Sequence, residues 1–188
     1  MMRSAPYGLL VRVPSSAATW GASHARMTHG APIGQASSAA VAAIVSALVN
    51  GYSPTSAVRE GEEAAARFDL VTAGMIREAR VLTSGDALFG RTQEEVDVDV
   101  LTRWHGWAGH EAIAASAYCF LRHQDSYKDA VLLAVNSPGD SDSLGSITGA
   151  MFGAYAGISA IPSEWVERIE KRDQLFDLAK RFAAMPRV

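Results

Sequence analysis

The turn Pro138-Gly139-Asp140-Ser141-Asp142-Ser143-Leu144-Gly145 carries the residues of this chain whose types and spacing could do chemistry. Asp140 and Asp142 stand two residues apart and Ser143 follows directly, so carboxylate and hydroxyl oxygens converge where a helical pattern begins. Hard divalent cations such as Mg2+ or Mn2+ take such oxygens in octahedral sets completed by water. One turn supplies a partial set and leaves coordination positions open. The same residues suit helix capping, because Asp and Ser at a helix amino terminus accept backbone N–H bonds and complement the dipole. Spacing leaves both readings open. A calcium EF-hand does not fit: Leu144 falls on a ligand position and Met151 stands where a bidentate glutamate is needed. Nor do the histidines form a zinc pair, since His24 and His29, like His105 and His110, are five apart and His123 stands alone.

Helices must position this turn. Of the 188 residues 48% are apolar and only 8% aromatic, and alanine runs recur, a balance that favours an all-α fold packed through small side chains. The length suits one domain over residues 1–188. The first thirty residues, with Pro6, Gly8, Pro14, Gly21 and Gly30, read as irregular chain. Pro32 then opens a helix whose Ile33, Ala36, Ala40, Ile44 and Leu48 share a face and which Gly51 ends. Ser53-Pro54 starts a second over Thr55 to Phe68, with Glu60, Glu62, Glu63 and Arg67 on a solvated face. Between Leu70 and Leu101 the glycines 74, 85 and 90 interrupt the pattern, although Thr92-Gln93-Glu94-Glu95 matches a capping box. Helices are expected from Gly109, over Tyr127 to Val135, over Ser143 to Ile158, and amphipathically from Ser163 to near Met185. Gly145, Gly149, Gly153 and Gly157 recur every four residues, a strip expected to let a neighbouring backbone approach a central helix.

Charge and composition exclude several classes. Seventeen basic and twenty acidic residues, net −3, are spread without a basic stripe, so nucleic acid is not an expected partner. Cys119, alone among apolar neighbours, reads as a buried, inert thiol, in keeping with a reducing cytoplasm. The opening MMRSAPYGLLVRVP lacks the pattern of a secretion signal, and the uncharged stretch from Leu144 to Ile161 is too rich in Gly, Ser and Thr to be read as a membrane span.

Several separate blocks are similar to the ADP-ribosylglycohydrolase family. Gly139-Asp140-Ser141-Asp142-Ser143, opening a glycine-rich helix and followed by Ile161-Pro162, resembles the segment with which the family ends. Gly106-Trp107 followed by Glu111-Ala112 resembles its Gly-aromatic step before a helix, and Ala134-Val135-Asn136 its lead into the acidic turn. Thr28-His29 resembles the Thr-His pair before its alanine-rich helix, and Met2-Arg3-Ser4-Ala5-Pro6 a segment usually found in mid-chain.

The resemblance implies an all-helical fold in which ADP-ribose lies over two Mg2+ or Mn2+ ions and a glycosidic bond is hydrolysed. On that footing Asp140, Asp142 and Ser143 are metal ligands, His29 and Gly106 border the ADP-ribose pocket, and Trp107 stacks on the ligand. The alternatives for His29 and Trp107 are a polar residue before a helix and core packing beside Trp104. The family's Thr-Asp-Asp-Thr type motif has no counterpart here, so the chain is expected to be an amino-terminally truncated portion, inactive or impaired alone, or a non-catalytic ADP-ribose or nucleotide-binding module. Self-association through exposed core surface is a further expectation. Asp97 and Asp99, the remaining candidates for a second ion, read as a solvated helical face.

Overall fold

The computed structural model describes residues 1–84 and 90–188. Among them the regular elements are α-helices, with one 3₁₀ turn and no strand, as the all-α expectation requires. The interruption expected at Gly85 lies outside the described residues.

α3 (Pro32–Val49) is the axis of the molecule, with every residue from Ala36 to Leu48 buried. Alanine and serine around its whole circumference let other helices approach from all sides, and it touches α1 (Ala5–Leu10), α2 (Pro14–Arg26), α4 (Pro54–Ala66), α7 (Gly109–Arg122) and α9 (Ser141–Ala156). It is also long and apolar enough to cross a membrane, yet 72% of it is buried inside the protein, as befits a core helix.

The irregular chain expected over the first thirty residues is instead two helices, α1 and α2. Proline in the first turn of each costs no hydrogen bond there. Their glycines mark close packing: a β-carbon on Gly8 would lie 2.5 Å from the Ala42 carbonyl oxygen, and one on Gly21 2.6 Å from that of Ser38. Both helices therefore meet α3 backbone to backbone, a mode of burial that leaves no periodic pattern of large apolar side chains.

The middle of the chain also orders more than its glycines suggested. α5 (Leu70–Leu82) starts at Asp69, whose carboxylate accepts from the Thr72 amide, and Gly74 sits inside it. α6 (Gln93–Arg103) opens with the expected box, Thr92 and Glu95 each accepting the other's backbone N–H. Glu62, expected on a solvated face of α4, is 8% exposed and accepts from Arg77 at 2.7 Å and Arg80 at 3.2 Å, joining α4 to α5. A turn toward α5 makes this charge burial tolerable, because two guanidinium groups meet it there.

α8 (Tyr127–Val135) lies against α9, whose Leu144, Ile147, Met151 and Phe152 enter the core. α9 starts two residues earlier than expected and stops at Gly157, φ +72°. Its glycine strip works differently from the backbone approach expected. Gly145 makes room for the Val135 methyl, 2.5 Å from its would-be β-carbon, and Gly149 for the Tyr127 hydroxyl at 3.1 Å, whereas Gly153 faces nothing within 4 Å. Beyond a 3₁₀ turn, α10 (Ser163–Arg168) and α11 (Arg172–Ala183) bury no residue.

Candidate functional site

Four segments distant in sequence meet at one end of α3. The turn after α2 brings Thr28 and His29, whose hydroxyl and Nδ1 lie 2.9 Å apart. The connection from α6 to α7 brings Gly106 and Trp107; the turn before α9 brings Asp140 and Ser143; and the start of the chain adds Arg3. Together they border a cavity of about 300 Å³.

The two turns that matter most are locked together through their backbones. Asp140 donates its N–H to the His105 carbonyl at 2.7 Å. A β-carbon on Gly139 would lie 2.0 Å from that same oxygen, so only glycine admits the contact. Gly106 adopts φ +82°, a left-handed conformation suited to glycine, and a β-carbon there would lie 2.2 Å from Leu144 Cδ1. Gly109 also packs closely on α3, with the Ser37 hydroxyl 2.7 Å from its would-be β-carbon.

His29, Gly106, Trp107, Asp140 and Ser143 all border the cavity. Trp107 is 79% exposed, whereas Trp104 is 3% exposed and in the core, so the two tryptophans do not pack as a pair. Asp140 occupies the N-cap position of α9 without making a side-chain cap bond, which leaves its carboxylate oxygens available to a ligand. Ser143 is buried in the first turn beside it. Asp142 is exposed and does not border the cavity. Among the described residues no group of three or more His, Cys, Asp or Glu side chains could hold a metal ion. Asp140 and Ser143 are thus the oxygen-bearing side chains of the turn that border the cavity, with the exposed Asp142 between them in sequence.

His24 and Arg3 border the same cavity and carried no assignment from sequence. His24 lies in the last turn of α2 with its ring centroid 5.3 Å from that of Tyr7. Only the helicity of α2 could have pointed to it, because it carries His24 to the same end of the molecule as His29. Asp97, by contrast, belongs to a different place. It is not on a solvated face but part-buried, accepting from the Tyr118 hydroxyl, from Gln93 at 3.2 Å and from Arg122 at 3.3 Å. Burial, and then the Asp97 carboxylate, push the Tyr118 hydroxyl pKa up. Asp99 is exposed and pairs with Arg91 at 3.4 Å. Cys119 is buried, and burial raises its thiol pKa, so it stays unreactive.

An all-helical fold with an acidic turn facing a cavity across a Gly-aromatic step defines a class, and the ADP-ribosylglycohydrolase family model matches residues 1–188. The chain belongs to that family. It is 27% identical over 167 residues to the ADP-ribosylarginine hydrolase Tri1 of Serratia proteamaculans, covering 87% of this chain and 39% of that protein. A protein of Archaeoglobus fulgidus is 26% identical over 181 residues, covering 96% of this chain and 55% of that protein. The human ADP-ribosylhydrolase ARH3 is 28% identical over 99 residues, 47% of this chain and 26% of that protein. The chain thus spans about half or less of the length of these relatives.

Proposed function

We propose that residues 1–188 act as one domain that binds the ADP-ribose moiety of an ADP-ribosylated protein or small molecule and contributes Asp140, Asp142 and Ser143 to a metal-assisted hydrolysis of its glycosidic bond. The observation that carries this reading is the gathering of His29, Gly106, Trp107, Asp140 and Ser143 around one cavity. An exposed indole beside a part-buried carboxylate suits a ligand with a flat base and polar sugars, the indole stacking on the base and the turn facing the ribose. Mg2+ or Mn2+, when bound at the turn, supplies positive charge that orients ribose hydroxyls and makes a nearby water more acidic. The chain's own part is to hold Asp140 at the border of the cavity through its N–H bond to the His105 carbonyl.

The turn offers few ligands, so the isolated chain is expected to bind ADP-ribose more readily than it cleaves. The exposed Trp107 favours a second reading, a non-catalytic ADP-ribose-binding module, which shares the cavity and differs only in turnover. The test is ADP-ribose release from an ADP-ribosylated arginine or serine peptide with Mn2+, run beside ADP-ribose titration calorimetry on wild type and Asp140→Ala. Turnover abolished by the substitution supports hydrolysis. Binding without turnover supports the module, and absence of both refutes the proposal. The cytoplasm is the compartment proposed, on the single buried thiol. Self-association is proposed through α11, whose Leu175 and Leu178 are 45% and 58% exposed, with sedimentation across a concentration series as its measure.

A further inference from the structure

The connection between α6 and α7 is held by a side chain, Glu111, that does not itself border the cavity. Gly106 donates its N–H to Glu111 Oε2 at 3.1 Å, a part-buried bond across the first turn of α7. That N–H belongs to the residue with φ +82° whose α-carbon is pressed on Leu144, between His105, which accepts from Asp140, and Trp107. One carboxylate on a rigid helix therefore fixes a three-residue turn. The turn in turn carries both the indole at the cavity mouth and the carbonyl that clamps the acidic turn.

We propose that Glu111 is a positioning residue: it holds Trp107 and Asp140 in register across the cavity through the Gly106 N–H, and so sets affinity for the adenosine-diphosphate sugar without touching it. The proposal rests on the ADP-ribose reading for its ligand, and on geometry alone for the ordering of Trp107. Two contributions of Glu111 must be separated. As an acidic residue in the first turn of α7 it also complements the helix dipole, which needs charge but not reach. The bond to Gly106 needs reach but not charge. Glu111→Gln keeps an oxygen at the same distance without the charge, whereas Glu111→Asp keeps the charge and withdraws the oxygen by one methylene.

The experiment labels the full chain with 5-fluorotryptophan, assigns the Trp107 fluorine resonance by its absence in Trp107→Phe, and records it without ligand in wild type, Glu111→Gln and Glu111→Asp. ADP-ribose affinity with Mn2+ and the melting temperature are measured on the same samples. Glu111→Asp is expected to shift or broaden the Trp107 resonance and to weaken ADP-ribose about tenfold, as loss of one part-buried hydrogen bond does. Glu111→Gln is expected to keep the wild-type resonance and to bind within about threefold of wild type. The reverse order, Asp tolerated and Gln disruptive, would make Glu111 a dipole residue only and overturn the proposal. So would a Trp107 resonance unchanged in both. A resonance displaced in Glu111→Asp while the wild type binds no ADP-ribose would uphold the positioning role and refute only the ligand.

Discussion

Replacing Gly106 with alanine should impose two penalties that a second variant can separate. The backbone at Gly106 has φ +82°, a conformation that costs an L-residue about 1–2 kcal/mol. The new methyl would also stand 2.2 Å from Leu144 Cδ1, and overpacking of this kind costs roughly 1–3 kcal/mol. Leu144 is wholly buried and cannot swing into solvent to relieve it. Gly51 supplies the control, because it has nearly the same φ, +84°, with nothing within 4 Å of a β-carbon. Urea unfolding should therefore find Gly51→Ala less stable than wild type by about 1–2 kcal/mol and Gly106→Ala by about 2–5 kcal/mol, with similar m-values. Equal losses in the two variants would mean that Leu144 does not pack beneath the turn. The two turns would then not be clamped together there, since the same contact brings Gly106 against the start of α9.

Asp140→Ala should change unfolding free energy in EDTA by less than about 0.5 kcal/mol, because the side chain makes no cap bond; a loss near 1 kcal/mol, typical of a removed cap, would restore the capping reading. The same variant should lose the rise in melting temperature that Mn2+ gives the wild type. Trp107→Ala should leave stability nearly unchanged yet cost about 1–3 kcal/mol in ADP-ribose affinity, as loss of a base stack does. Trp104→Ala should instead cost about 3–5 kcal/mol of stability by calorimetry, since that indole is in the core. In acid, the Thr72 hydroxyl, 2.6 Å from Asp69, lowers the Asp69 pKa below its ordinary 3.8, helped by the Thr72 amide. A carboxyl with a depressed folded-state pKa stabilises the fold above its unfolded value, and that contribution is lost as pH falls through the depressed one. Acid titration of stability should accordingly be shallower below pH 3.8 in Asp69→Asn than in wild type.

Elements marked by local chemistry could be read without a structure. The capping box at Thr92, the proline start at Pro32 and the helix over Tyr127 to Val135 depend on backbone hydrogen bonds between residues three or four apart, so the residues that decide them lie side by side in sequence. The acidic turn at Asp140 belongs with them. Its chemistry was legible because carboxylates and hydroxyl are adjacent, although spacing did not separate ligand from cap. Burial is decided otherwise, by what arrives from far along the chain. α1 and α2 leave no such signal because Gly8 and Gly21 bury by letting α3 approach, and an absent side chain gives no apolar period to read. Glu62 and Asp97 looked solvated because their partners, Arg77 and Arg80 for one, Tyr118 and Arg122 for the other, stand on other helices. Trp104 and Trp107 are three residues apart, and composition does not distinguish them; the left-handed turn at Gly106 sends one into the core and the other to the cavity mouth. The sequence alone thus determined the helices with local signals and the residue types gathered in the acidic turn. The tertiary structure alone decided which side chains share the cavity, because that depends on four distant segments converging at one end of α3.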